Sequence, residues 1–224
     1  MNQWVPRTYL TLRCDLACWY CSNGGDIRWR KADELSGKQW LARIAELPGD
    51  EIVFTGGEPT LHDNFLGIVK GCTKKMHVYS NFARDLDVPA GLNIQWRASF
   101  HGTTDQELGD WLDRVAAMRE AGYRMTCTTV YSPPLLEAKL RERGAIVDAP
   151  QIRPVPIAGR VRCKLPRILI GPDGRRFHCV TRLVQRDESA VVALDGPDTI
   201  TCDDATACVA CDSIASERKA AACE

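Results

Sequence analysis

Residues 51–59 read EIVFTGGEP. Glu51 to Thr55 is a short, bulky run rich in β-branched and aromatic side chains, and it stops at two glycines, as a short buried strand does. Gly56 and Gly57 then leave bare backbone next to the Glu58 carboxylate, with Pro59 behind it. In parallel α/β folds ligands bind at the carboxyl ends of strands, so a strand with this ending carries chemistry.

The flanks repeat the theme. Upstream, Ser36 with Gln39 makes a capping box, and Trp40, Leu41, Ile44 and Leu47 follow at helical spacing until Pro48-Gly49. Before that, Arg7 to Leu12 (RTYLTL) alternates like a half-buried strand. Downstream, Asp63 can cap a helix over Phe65 to Lys70, and Met76 to Ser80 and Asn93 to Phe100 read as strands. Thr103 to Ala121 is a helix with Leu108, Trp111, Leu112, Val115 and Met118 on one face and Gly122 as its stop. Arg124 to Tyr131, Leu135 to Arg143 and Gln151 to Val155 add a strand, a helix and a sixth strand.

Six strands alternating with helices predict parallel βαβ units with right-handed crossovers. The expected fold is α/β, a partial (β/α)6 barrel of the TIM type. The rhythm breaks after Pro154 and Pro156, which sets a barrel over 1–158 and a small extension over 159–224. In that extension Arg167 to Ile170 and Arg175 to Val180 flank Gly171-Pro172-Asp173-Gly174, a hairpin signal, and Asp212 to Ala222 reads as a short helix.

The 224 residues carry 29 basic and 29 acidic side chains, which excludes an overall polycation drawn to nucleic acid or membrane. The balance is local: Gln151 to Asp187 holds nine bases against two acids, and Glu188 to Glu224 two against eight. Eleven cysteines, an odd number, fit thiolate ligation better than a disulfide framework. No charged-then-apolar leader and no run of about 18 apolar residues are seen, so a cytoplasmic protein with reduced thiols and no membrane partner is expected.

Cys14, Cys18 and Cys21 form a CxxxCxxC array where the first strand ends, on the same rim as Gly56-Gly57-Glu58. Three close thiolates without a nearby fourth His or Cys suit a cubane iron–sulfur cluster with one free corner. A structural zinc normally takes four ligands. A zinc loop beside an unrelated glycine turn is the other reading.

This pairing resembles the radical S-adenosylmethionine (SAM) enzymes. Their signature is CxxxCxφC with an aromatic at φ, and Tyr20 stands there beside Cys21; their GGE motif is matched by Gly56, Gly57 and Glu58. The resemblance implies that Cys14, Cys18 and Cys21 hold a 4Fe–4S cluster whose fourth iron is chelated by SAM. It implies that Glu58 and the Gly56-Gly57 backbone meet the SAM ammonium and that Tyr20 lies near the adenine. Ser80, Asn81 and Ser99 match places of ribose and carboxylate contacts. His101 stands where relatives often have an acid, and Ser99 with His101 could instead cap the next helix. Arg153 substitutes for an arginine that many relatives carry. The implied step is electron transfer into the sulfonium, which releases methionine and a 5′-deoxyadenosyl radical that removes hydrogen from a substrate carbon. Cys127, on the fifth strand, is a candidate hydrogen donor or base if it faces inward, and a packed thiol otherwise.

A second cysteine set follows. Cys163 and Cys179 bracket the hairpin, and Cys202 precedes the Cys208-x-x-Cys211 pair. The arrangement is similar to the twitch appendage, the short form of the SPASM extension. That resemblance implies an auxiliary iron–sulfur cluster, 4Fe–4S, on Cys163, Cys179, Cys208 and Cys211, with Cys202 as the rival ligand. Four thiolates would also suit zinc.

The expected activity is oxidation or rearrangement of a polar, anionic small molecule, nucleotide or nucleobase. Arg153, Arg160, Arg162, Lys164, Arg167, Arg175 and Arg176 would attract its phosphate or carboxylate. A flavodoxin or ferredoxin would be the reducing partner, and a nucleic acid is left open, though stacking aromatics are scarce among the basic residues. The alternative is a ribosomal-peptide maturase of the SPASM or twitch type, against which stands a first strand that begins by Arg7. The non-enzyme alternative is an iron–sulfur or zinc protein without SAM chemistry.

Overall fold

The computed structural model describes residues 5–18, 21, 29–102, 105–129, 138–139, 141–142, 161–164, 168–196 and 199–202. The chain opens with β1 (Arg7–Thr11), α1 (Gly37–Glu46), β2 (Glu51–Gly56), α2 (Phe65–Gly71) and β3 (Lys75–Ser80). β4 (Ile94–Phe100), α3 (Asp105–Glu120) and β5 (Arg124–Thr129) follow. The five strands lie side by side in parallel in the order β5-β4-β3-β2-β1. This is the α/β partial barrel that the alternation predicts; the sixth strand over Gln151 to Val155 and the tail helix lie outside the described residues.

The three helices share one face of the sheet. Trp40 and Ile44 of α1, Ile68 and Val69 of α2, and Trp111 and Val115 of α3 pack with Leu10, Ile52, Phe54, Val78 and Trp96 in one core. Capping follows the sequence at α1, where the Ser36 side chain accepts from the Gln39 amide and Gln39 reciprocates. At α2 it does not. Asp63 stands one residue too early, and its carboxylate pairs with Lys31 at 2.6 Å; Asn64 takes the N-cap position and uses its Oδ1 to accept from the Gly37 amide. Asn64 thereby closes the start of α1 instead.

The C-terminal part contributes β6 (Val161–Lys164), β7 (Leu169–Ile170), β8 (Arg176–Phe177), α4 (Val180–Val184), β9 (Val191–Val192) and β10 (Thr199–Cys202). β7 runs parallel to β1 in the register Arg7 with Leu169 and Thr8 with Ile170, so β7, β8 and β9 extend the barrel sheet to eight strands. The hairpin turn is the expected one, with Gly174 at φ +77°. Its second arm is shorter than expected, because Cys179 begins α4, whose Leu183 and Val184 are buried. There they join Tyr9, Leu12, Trp29, Leu169, Phe177 and Ala190 in a second apolar cluster at the β1 end of the sheet. β6 and β10 form a separate antiparallel ribbon.

Among the described residues no helix is long and apolar enough to cross a membrane.

Candidate active site

The cysteine array and the glycine run meet as the alternation requires. β1 delivers the chain to Arg13 and Cys14, and β2 delivers it to Gly56 beside them. The Gly57 amide donates to the Thr11 carbonyl at 2.9 Å and the Glu58 amide to the Arg13 carbonyl at 2.7 Å. The approach is closer than a side chain permits: a Cβ on Gly56 or Gly57 would lie 2.1 Å from the Thr11 or the Arg13 carbonyl oxygen. Gly56 also has φ +134°, which L side chains rarely adopt.

Glu58 is 2 % exposed. Its Oε1 accepts from the Thr60 amide at 3.1 Å and hydroxyl at 2.7 Å, and its Oε2 accepts from the Asn81 amide at 2.8 Å. Burial holds its pKa above the usual glutamate value, against the hydrogen bonds of Thr60, Asn81 and Ser80, which lower it.

Asn81 ties the site together. Its Nδ2 donates to Asp15 at 2.7 Å and lies 3.9 Å from the Cys14 sulfur, while its Oδ1 accepts from the Ala83 amide. The next residue, Phe82, has φ +52°, strained for an aromatic residue. α3 holds this conformation: Trp111 Nε1 donates to the Asn81 carbonyl at 3.0 Å and Arg114 to the Phe82 carbonyl at 2.6 Å. The Phe82 ring packs edge-on against Trp96.

Of the three thiols, Cys14 is exposed and Cys18 and Cys21 are half-buried. Although Cys14 keeps open surface, loss of water around its sulfur, reinforced by Asp15, Glu58 and Cys21, pushes the thiol up to about 11, with the Leu16 amide opposing. A thiolate there calls for a cation. His101, at the end of β4, places Nδ1 3.6 Å from the Cys18 sulfur, and burial lowers its pKa to about 4. It is therefore a neutral imidazole at physiological pH. Ser99, two residues earlier, is buried on the same strand end.

Sequence reasoning missed the brace behind the array. Arg13 donates to Glu34 at 3.0 and 3.2 Å and reaches Asp63 at 3.4 Å, and Thr11 donates to the same Glu34 carboxylate. Arg84 pairs with Asp15 at 2.9 Å. These partners are some 21 to 69 residues apart in the chain, and no local signal joins them.

Two expectations change. Cys127 does not face the barrel interior: it is 1 % exposed, lies in the helix-side core beside Ala98, and receives Arg119 of α3 at 3.7 Å. The register Ala98 with Cys127 puts both on the helix side, so the packed-thiol reading fits. In the basic stretch, Arg175 pairs with Asp173 and Glu188, and the buried Arg176 donates to the carbonyls of Leu194 and Gly196 at 2.8 and 3.0 Å. Both arginines serve the hairpin.

Tyr20, Arg153, Cys208 and Cys211 lie outside the described residues. Cys179 is half-buried as the N-cap of α4. In the ribbon Cys163 pairs with Ile200, and Cys202 stands two residues beyond it.

The family model described as the radical SAM superfamily matches residues 8–133, more than half of the chain. The chain belongs to the radical SAM superfamily. Membership implies a 4Fe–4S cluster and SAM, and it makes the chain one of a superfamily of enzymes. A PqqA peptide cyclase of Gluconobacter oxydans is 39 % identical over 75 residues, 32 % of this chain and 20 % of that protein. A probable GTP 3′,8-cyclase of Methanopyrus kandleri is 36 % identical over 67 residues, 29 % of this chain and 21 % of that one. The chain thus spans about a fifth of the length of the curated relatives it matches. Among solved structures, Streptococcus suis SuiB bound to its precursor peptide SuiA has a TM-score of 0.48 at 17 % identity, covering 63 % of this chain and 38 % of that one.

Proposed function

We propose that Cys14, Cys18 and Cys21 hold the 4Fe–4S cluster of a radical SAM enzyme, with SAM bound over Gly56, Gly57, Glu58, Ser80, Asn81 and Ser99. The observation that carries this reading is the docking of the glycine run onto the cysteine loop, which sets bare backbone and a buried carboxylate next to Cys14. The donor set fits the group: three thiols serve a cubane with one iron left for SAM, whereas a structural zinc normally takes four ligands.

With the cluster bound, its chemistry is one-electron reductive cleavage of SAM to a 5′-deoxyadenosyl radical. The protein supplies the rest. Glu58 offers negative charge to an ammonium. The Gly56-Gly57 backbone docks on the cysteine loop at a distance that a Cβ would forbid, which holds Glu58 beside Cys14. Asn81 fixes the cysteine loop and Glu58 relative to each other, and α3 locks Asn81. Tyr20 and Arg153 complete the proposed cofactor contacts, near the adenine and the carboxylate.

The substrate we propose is a polar, anionic small molecule or nucleotide, oxidised or rearranged after loss of hydrogen, in the cytoplasm, with a flavodoxin or ferredoxin as electron source. An auxiliary 4Fe–4S cluster on Cys163, Cys179, Cys208 and Cys211, with Cys202 as the rival ligand, would accept the electron in an oxidation. The proposed barrel and appendage divide at 158/159. A peptide substrate is the second reading, favoured by the similarity to proteins named PqqA peptide cyclase.

Anaerobic reconstitution followed by dithionite and SAM should yield 5′-deoxyadenosine, and SAM should perturb the spectrum of the reduced cluster. Replacing Cys14, Cys18 and Cys21 by Ala should abolish cleavage and leave about four irons per chain on the auxiliary set. Loss of all iron would refute the two-cluster assignment, and no cleavage by the unsubstituted enzyme would refute the SAM site.

A further inference from the structure

Asp15 follows the first cysteine of the array, and its side chain is only 10 % exposed. Its Oδ1 accepts from Asn81 Nδ2 at 2.7 Å and lies 4.0 Å from the Cys14 sulfur, and its Oδ2 pairs with Arg84 Nε at 2.9 Å. The same Asn81 Nδ2 stands 3.9 Å from the Cys14 sulfur, so one amide is shared between the carboxylate and the sulfur. Asn81 and Arg84 belong to one turn after β3, where Asn81 Oδ1 accepts from the Ala83 amide at 2.8 Å. That turn grips the Asp15 carboxylate from two sides.

A carboxylate in this place works against a thiolate-bound cluster. Reduction adds an electron, and a fixed negative charge about 4 Å from a ligand sulfur opposes it. Glu58 brings a second carboxylate to bear on Cys14. An asparagine at position 15 would accept from Asn81 without the charge. What the carboxylate adds is an ion pair with Arg84, whose guanidinium returns a positive charge to the same spot.

We propose that Asp15 and Arg84 form a charge pair that sets the reduction potential of the first cluster, with Asp15 as the positioning residue that fixes the Asn81 amide at Cys14. The proposal rests on the reading of Cys14, Cys18 and Cys21 as cluster ligands. The two members act with opposite sign. Asp15 disfavours the added electron and Arg84 favours it, so together they keep the amide donor in place at little net charge. They also differ in their access to salt. Arg84 is 64 % exposed, so its share is screened, while that of the enclosed Asp15 persists.

The test is an EPR-monitored redox titration of the anaerobically reconstituted full chain, read on the signal that SAM perturbs. Asp15→Asn, which keeps an acceptor for Asn81, should shift the equilibrium about tenfold toward the reduced form, a rise of about 59 mV for one electron. Arg84→Gln should shift it the other way, about threefold at low ionic strength and less in about 1 M potassium chloride. Arg84→Lys should keep the unsubstituted value, and the double variant should fall between the two single ones. Iron content and thermal melting should stay unchanged in the Arg84 variants, because that side chain is exposed. Should Asp15→Asn fail to load iron, the two Arg84 variants carry the test alone. Shifts of the same sign in Asp15→Asn and Arg84→Gln, or an unchanged potential in Arg84→Gln at low salt, would overturn the charge pair. A protein with no SAM-sensitive signal before any substitution would instead refute the cluster reading, so the two failures are told apart.

Discussion

Glu58 shows how one buried carboxylate ties affinity to pH. Its raised pKa means that, without a ligand, its burial favours the folded chain while it is protonated, below the ordinary glutamate value of 4.5; that contribution is lost as pH rises through the folded value. An ammonium ligand needs the ionised form, so the dependence of binding has the opposite sense. SAM affinity should fall as pH drops through the raised value, at higher pH than an exposed glutamate would dictate. Glu58→Gln should weaken SAM binding about tenfold or more at neutral pH, the loss of a hydrogen bond to a charged partner, and should remove the bend. Dissociation constants of both proteins between about pH 5 and 8 test this; parallel curves would count against Glu58 as the ammonium partner. His101 gives a second prediction. If Cys18 is a thiolate ligand of the proposed cluster, His101 Nδ1 would carry the proton and donate to it, and that donor would stabilise the reduced, electron-rich form. His101→Phe should lower the cluster's midpoint potential in an EPR-monitored titration, and an unchanged potential would assign His101 to packing alone. The pairing of His101 with Cys18 was legible only halfway: Ser99-Phe100-His101 stood out as a departure from the family pattern, but a contact across 83 residues has no local signal.

At the scale of elements, the glycine run is what binds β2 to the cysteine loop. Gly57→Ala puts a Cβ among two backbone carbonyls, 2.1 Å from that of Arg13 and 2.6 Å from that of Leu12, and backbone moves less easily than a side chain. The variant should lose roughly 1–3 kcal/mol and bind less iron on the first site with all three thiols intact. Gly67→Ala in α2, with open space around it, should instead gain about 0.5–1 kcal/mol and hold its iron. Iron per chain and thermal melting compare the two; full iron in Gly57→Ala would mean that the docked loop is not needed for the cluster. The elements themselves were largely legible where periodicity was long. β2, β3 and β4, the Ser36 cap and α3 fall within a residue or two of expectation, because burial on one face and the cap residues both act locally. The cap of α2 was misread because Asp63 meets Lys31, a partner that proximity in sequence does not announce. Cys127 was undecidable from TCTT, whose alternation is symmetrical until the helix side is known.

On the scale of the whole molecule, the decisive contact is β7 on the free edge of β1. A strand of two residues has no periodicity to read, so the sequence suggested a hairpin but not where it docks. The docking places the hairpin in the same sheet as the strand that feeds the cysteine array, and Phe177 anchors it: fully buried, it meets Trp29 edge-on at 6.0 Å and packs with Tyr9 and Leu12 of the β1 segment. Phe177→Ala should therefore destabilise barrel and hairpin together, by about 3–5 kcal/mol, the cost of removing a large buried aromatic. Melting followed by circular dichroism should shift as one transition, and hydrogen exchange should show the amides of Thr8 to Leu10 losing protection along with those of Ile170 and Phe177. An early, separate transition that leaves β1 protected would mean that the hairpin folds as its own unit. The first cluster would then sit on a sheet edge that the C-terminal part covers without supporting.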